Sequence, residues 1–329
     1  MKNEFVCGAR NQITDVAGVR VGHKTIETDT VHTGVTVVIP TADDVFCNKP
    51  TAACYVLNGY GKSVGLVQIE ELGTLESPIA LTNTLSVGAV LDALAKRAVR
   101  TAQANGRVLH SVNSVVCECN DALISDICAF SVSEQDVSDA FEAASDTFEE
   151  GAVGAGRGMS CHGLKGGIGS ASRLVTFDST AYTVGVLLLS NHGTLSDLTV
   201  EGRPIGWEIA EGLPENDQGS VIVLLATDIP LTSRQLKRVI KRIPTALARA
   251  GSRIGHSSGE IFIGFSTANR VREDEPCFAT VTRLSESKID TVFRAASEAT
   301  ENALYKSMRC AEPCLDKHGK PVHSLSEFE

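Results

Sequence analysis

The sequence predicts an α+β fold in which β-sheets are layered between helices, and three observations carry that expectation. Short β-branched and aliphatic runs recur along the chain, bounded by glycine-rich turns, as strands of a packed sheet require. Four long stretches instead read as helices, two of them amphipathic. The two patterns do not alternate strand by helix, so a doubly wound parallel sheet is a poorer match than a layered sandwich. With 43% hydrophobic residues in 329, there is ample material for a sizeable core. No internal repeat, low-complexity linker or composition break divides the chain, so one domain over residues 1–329 is expected.

Taken in order, residues 11–21 (NQITDVAGVRV) and 34–39 (GVTVVI) alternate like the strands of an opening hairpin or meander. Residues 52–57 (AACYVL) and 64–69 (VGLVQI) read as two further strands around the turn NGYGK. Residues 78–82 form a short strand leading into NTLSVG, and a strong helix spans 89–105, ended by Gly106. A strand is predicted over 108–117 and an amphipathic helix over 133–150, where Val137, Ala140, Phe141, Ala144 and Phe148 share a face. Residues 151–173 (GAVGAGRGMSCHGLKGGIGSASR) are glycine-dense; Lys165 lacks the following Ser or Thr of a GxxxxGK[ST] phosphate cradle, and no GxGxxG opens a helix. That stretch reads as a loop packed against other backbone. Residues 182–189 are a buried strand ending in SNHG, and 233–250 a basic amphipathic helix that Pro244 should kink or break. A strand over 260–266 and a helix over 287–308 complete the set.

The balance of 40 acidic to 30 basic residues, a net charge of -10, argues against a nucleic-acid or anionic-membrane partner. The N-terminal residues MKNEFVCGARNQITD lack an apolar h-region and no window approaches ~20 uncharged apolar residues, so neither signal peptide nor membrane span is predicted and a cytoplasmic location follows by default. In that setting Cys7, Cys47, Cys54, Cys128, Cys161 and Cys277 are expected to be reduced, buried small hydrophobes, and Cys117 and Cys119 to share one strand face. Cys310, Cys314, His318 and His323 superficially suggest zinc, but the spacing matches no ligand pattern and the segment is a polar tail.

The chemistry is sought at residues 211–231, EGLPENDQGSVIVLLATDIPL. A polar, turn-prone loop changes abruptly at Ser220 into the core strand VIVLL, with Gly219 immediately before it. Were the bond between Gly219 and Ser220 cut, Ser220 would carry both a hydroxyl and a free α-amine, whose ordinary pKa near ~8 suits a general base. The competing description is a loop serine that merely starts a strand. Gly255, Ser257 and Gly259 match GxSxG, yet a helix precedes and a strand follows, the reverse of a nucleophile elbow. Ser258 and Glu260, two apart at a strand start, project to the same side and could orient a proton beside another nucleophile.

Together these segments resemble the self-processing aminopeptidases of the DmpA type, the L-aminopeptidase/D-esterases that include the β-peptidyl aminopeptidases. The likeness covers nearly the whole chain: NQITDVAGVRVGH, LTNTLSVG, the glycine-dense stretch, SNHG, DQGSVIVLLATDIPL and GHSSGEIFIGFSTAN occur in that order. The resemblance implies an αββα sandwich shared with the ornithine acetyltransferases, and cleavage before Ser220 into chains 1–219 and 220–329. It implies Ser220 as nucleophile, Asn191 as oxyanion-hole donor, Ser258 and Glu260 as the supporting hydroxyl and carboxylate. It also implies release of N-terminal residues from short peptides, amides or esters without metal or organic cofactor, and a homo-oligomer, often a tetramer of αβ units. The chain departs from the family at CECNDA, residues 117–122, where Asn120 stands in place of the usual aromatic. Glu118 is retained there, either to pair with a substrate ammonium or as a solvated strand-end carboxylate. His192 reads as a loop histidine near the pocket. Two other readings stand beside this one: an acyltransferase of the ornithine acetyltransferase type, which uses threonine at the processed terminus, and a catalytically silent binding protein.

Overall fold

The computed structural model describes residues 4–210 and 219–329. The polar loop sought at 211–219 therefore lies outside the described residues, Gly219 excepted. A 3-10 turn precedes β1 (Arg20–Glu27) and β2 (His32–Ile39), which pair antiparallel; β3 (Asn48–Gly59), α1 (Leu66–Leu72), β4 (Ile79–Asn83), α2 (Val87–Ala104), β5 (Val115–Cys119) and α3 (Glu134–Glu142) follow. The glycine-dense stretch contains the small hairpin β6 (Ser160–Cys161) and β7 (Leu164–Lys165), then enters β8 (Ile168–Phe177). After β9 (Thr180–Asn191) come α4 (Ile205–Ile209), β10 (Ser220–Thr227), α5 (Ser233–Ile240), α6 (Ile243–Arg249), β11 (Gly259–Arg272), α7 (Ile289–Arg309) and a last hairpin, β12 (Cys314–Leu315) and β13 (Pro321–Val322).

Two sheets form the middle layers, ordered β1-β2-β4-β5 and β3-β11-β10-β9-β8. Between them Val21, Val38, Leu81 and Cys117 of the first sheet meet Leu187, Leu189, Ile222, Leu224 and Ile263 of the second. The outer face of the first sheet is covered by α2 and α3 through Val90, Leu94, Val137 and Phe141. The outer face of the second is covered by α5, α6 and α7 through Leu236, Val239, Leu247, Val292, Ala299 and Leu304. The four layers run helix, sheet, sheet, helix, which is the αββα sandwich. β9 and β10 are aliphatic on both sides because both their faces are buried; a central strand of a covered sheet has no solvent face to alternate toward.

Several expected elements are displaced for identifiable reasons. Residues 64–69 are not a strand: Gly65 (φ 87°) and Gly73 (φ 67°) bracket the helix α1, which buries Ile69 and leaves Val67 and Leu72 to solvent. Residues 108–114 are not ladder either. The Asn113 N–H donates to Glu76 Oε1 (2.7 Å) and the Val115 N–H to Ser77 Oγ (3.2 Å), so the strand starts only at Val115. The helix predicted to Glu150 stops at Glu142, because Ser145 exchanges two backbone hydrogen bonds with Val21 of β1 (2.9 and 3.0 Å). The first strand begins at Arg20, not residue 11; the Ile13 N–H is instead taken by Ser170 Oγ at 2.8 Å. Pro244 does divide the basic helix, sitting in the first turn of α6 where its missing N–H costs nothing. All ten cysteines are free thiols, but of the six expected to be buried only Cys54 and Cys161 are; Cys128 and Cys277 are exposed. Among the described residues no helix is long and apolar enough to cross a membrane.

Candidate active site

The register of three strands assembles the site. Ser220 is the first residue of β10, opposite Asn191, the last residue of antiparallel β9, and opposite Gly259, the first residue of parallel β11. Residues 29 and 39 positions away in the chain thus converge on one hydroxyl. Ser220 is only 7% exposed, Asn191 6%, Ser258 2% and Glu260 fully buried, so charge developing here interacts with fixed protein dipoles and little water.

Each neighbour is held by its own contacts. The Gly259 N–H donates to the carbonyl of Gly219 at 3.2 Å, tying the carbonyl before Ser220 to β11. The Ser258 hydroxyl donates to Glu260 Oε1, so the pair expected from their spacing is formed. The Asn191 side chain is oriented at both ends: Oδ1 accepts from the Ser160 N–H (2.9 Å) and Nδ2 donates to the Asn120 carbonyl (3.0 Å). A carboxamide has two N–H donors, which leaves the second for a ligand.

Backbone bareness is required beside Ser220. A Cβ at Gly259 would stand 2.7 Å from the Gly61 nitrogen and 3.4 Å from Ser220 Oγ; one at Gly219 would stand 2.0 Å from the Asn191 carbonyl oxygen. Only glycine permits these approaches.

Glu118 is neither solvated nor at loose ends. It is 2% exposed, and Oε1 accepts from the Lys62 N–H (2.7 Å) while Oε2 accepts from the Thr84 hydroxyl. It sits across the two bare glycines from Ser220: a Cβ on Gly61 would be 3.5 Å from Glu118 Oε1 and 3.9 Å from Gly259 Cα. His192 is the loop residue directly after β9, as expected, but it is buried at 2% exposure, and burial drives its pKa down to about 3.

Residues missed by sequence reasoning support the site from behind. Asp121, next to the Asn120 carbonyl, is wholly buried; desolvation raises its pKa to about 6, although the Thr33 hydroxyl donates to it at 2.5 Å. Lys165, set aside with the phosphate cradle, donates to the carbonyls of Met159 (2.8 Å), Gly166 (2.8 Å) and Gly156 (3.2 Å). Burial pulls its pKa down to about 7. It locks the stretch whose Ser160 N–H orients Asn191. An apolar-flanked lysine among glycines was the available signal, and its meaning depends on carbonyls that only folding collects.

The tail residues Cys310, Cys314, His318 and His323 do not converge on a common point; His323 Nδ1 lies 2.7 Å from Glu327 Oε2.

Comparison with known proteins finds relatives along nearly the whole chain. The model of Peptidase family S58 matches residues 11–322. The β-peptidyl aminopeptidase BapA of Sphingosinicella microcystinivorans is 36% identical over 98% of this chain and 87% of that protein. Among solved structures, the PH0078 protein of Pyrococcus horikoshii OT3 superposes with a TM-score of 0.93 at 42% identity, covering 98% of this chain and 93% of that one. The L-aminopeptidase D-Ala-esterase/amidase of Ochrobactrum anthropi superposes with a TM-score of 0.92 at 33% identity, covering 99% and 93%; it is described as a prototype for the serine aminopeptidases and a variant of the Ntn hydrolase fold.

Proposed function

The chain belongs to peptidase family S58 and is an aminopeptidase of the Ntn-hydrolase type, and on that premise we propose that Ser220 is its nucleophile, released by cleavage of the bond between Gly219 and Ser220. In the processing step Ser220 Oγ attacks the Gly219 carbonyl carbon; an ester replaces the amide and the Ser220 nitrogen leaves as an amine. Water then hydrolyses the ester, giving chains 1–219 and 220–329 of one folded domain. In turnover the same oxygen attacks the carbonyl of a substrate's first residue. The freed α-amine, or the Ser258–Glu260 pair, takes the hydroxyl proton and passes it to the leaving amine. The second Nδ2 hydrogen of Asn191 stabilises the oxyanion. Water completes the cycle on the acyl-enzyme.

The observation that carries this reading is the convergence on Ser220 of Asn191 from β9 and of Gly259 from β11, with the hydrogen-bonded Ser258 and Glu260 to either side of Gly259. Glu118 supplies a buried negative charge across Gly61 and Gly259 from Ser220, suited to the free ammonium that an aminopeptidase substrate must carry. The substrate class we assign is a short peptide, amino-acid amide or ester with an unblocked N-terminus, the β-residue of the BapA relative's name included. A cytoplasmic location and a homo-oligomer, such as a tetramer of αβ units, belong to the same proposal. The test is direct: wild-type protein yields two bands, one beginning SVIVLL, and Ser220→Ala yields one inactive full-length band. If purified, active wild type contains no chain starting at Ser220, the proposal fails. Glu118→Gln, which preserves the acceptor for Lys62, should raise KM on an aminoacyl-p-nitroanilide while leaving kcat near wild type.

A further inference from the structure

Beside the site lies a group of side chains that aminopeptidase chemistry leaves idle. Cys161 ends β6, His162 follows it in the hairpin turn, and His192 follows Asn191 at the end of β9. All three are buried, and one ligand atom from each lies within 4.8 Å of the others; among the described residues no other group of histidine, cysteine and carboxylate side chains meets that condition. Cys161 Sγ stands 3.9 Å from His192 Nδ1, and the two imidazoles meet edge to face at 5.4 Å. The His162 N–H donates to the His192 carbonyl at 2.7 Å, so the hairpin is already stitched to the strand end.

The tautomers suit a cation. His162 Nδ1 lies 3.0 Å from the Thr194 carbonyl oxygen, which only accepts; Nδ1 therefore holds the proton and Nε2 the lone pair. Metal-ligating histidines are oriented in this way, by a carbonyl on the far nitrogen. His192 Nε2 is buried with no hydrogen-bond partner, although buried polar atoms ordinarily find one. The other ring nitrogen, Nδ1, is the one that faces Cys161 Sγ.

We propose that Cys161, His162 and His192 bind a thiophilic divalent cation of the zinc class. Binding forms one thiolate–metal and two imidazole–metal bonds, and the Cys161 proton leaves to solvent; nothing is oxidised or reduced. Tetrahedral zinc with Zn–S ≈ 2.3 Å and Zn–N ≈ 2.0–2.1 Å puts ligand atoms about 3.3–3.6 Å apart, so from separations of at most 4.8 Å occupancy would draw the three together by up to about 1.5 Å. A bound divalent cation favours the thiolate outright, so coordination and loss of the Cys161 proton go together. Three protein ligands leave a fourth position open. The ion would clamp the β6–β7 hairpin to the end of β9, the two segments on either side of the Asn191 side chain. The proposal rests on this cluster alone and stands or falls independently of the Ser220 reading.

The experiment uses the full chain in two forms. Protein expressed in zinc-supplemented medium, so that it folds with the ion present, should carry stoichiometric zinc by elemental mass spectrometry. Chelator-stripped protein titrated with cadmium should develop a thiolate-to-cadmium charge-transfer band, displaced by zinc. Cys161→Ala should lose both signals, His162→Gln, which keeps the thiol, should weaken cadmium binding at least tenfold, and Cys310→Ala, at an exposed thiol, should change neither. Unfolding midpoints identify any variant that has lost its fold. The inference is overturned if wild type carries no zinc and shows no band, or if folded Cys161→Ala binds as wild type does.

Discussion

Replacing Asn191 by alanine separates two jobs that the structure gives one side chain. As the proposed oxyanion donor it contributes through its second Nδ2 hydrogen, and losing such a donor costs ~10²–10³ in turnover, or about 2.7–4 kcal/mol of barrier. As a structural link it serves the Ser160 N–H at 2.9 Å and the Asn120 carbonyl at 3.0 Å from a position 6% exposed. Truncation strands both groups, each at about 1–3 kcal/mol unless water enters, so about 2–6 kcal/mol of stability is at stake. Asn191→Asp divides the effects: its oxygen still accepts from Ser160, but the donor is gone and a carboxylate faces the Asn120 carbonyl. Both variants should accumulate uncut precursor, since processing and turnover develop the same oxyanion. The assay reads precursor fraction by gel, kcat on an aminoacyl-p-nitroanilide per mole of free Ser220 terminus, and urea unfolding. Wild-type processing together with kcat within about threefold of wild type, where donor loss requires at least ~10², would refute the assignment.

Three further outcomes follow from the same geometry. Gly259→Ala forces a Cβ to 2.7 Å from the Gly61 nitrogen, so processing should stop and stability fall by about 1–3 kcal/mol, checked by gel and urea unfolding; unaltered processing contradicts the close approach. Glu260→Gln keeps an acceptor for the Ser258 hydroxyl but removes the charge; kcat should drop ~10²–10⁴ and the acid limb of its pH profile should move, whereas an unmoved profile makes the pair structural only. His23, bonded to Thr36 and the Glu149 carbonyl, is pushed by burial from 6.5 to about 4, so the unfolded chain takes up the proton first. Stability should therefore decline as pH falls from about 6.5 toward 4, by at most about 1.4 kcal/mol per unit from this group. Asp121, raised to about 6, acts oppositely and loses stability as pH rises toward 6. His23→Gln should flatten the decline between pH 7 and 5, and equal slopes in both proteins would rule the histidine out.

How legible each element was follows from where its determinants lie. β9 and β10 were readable because strands buried on both faces are rich in aliphatic residues, and α2 because one buried stripe imposes its period on many residues. The stretch at 64–69 misled because its six residues suit either form, and the decision fell to left-handed glycines at its ends. The helix at 133–150 was cut short by a partner more than a hundred residues away, Val21, which no local pattern announces.

The sequence by itself determined the layered α+β class, the loop-to-strand change at Ser220 and the pairing of Ser258 with Glu260, because residue type and near-neighbour spacing express local preference directly; Asn191 entered only through the family resemblance. Tertiary structure alone decided that β10 lies between β9 and β11 in the register that brings Asn191 and Gly259 to Ser220. It alone buried Glu118 against Lys62 and Thr84, and gathered Cys161, His162 and His192 into one cluster. The physical reason is that pairing between distant strands is selected by the summed burial of both sheets, and a slip of one residue would turn every one of these side chains to the other face.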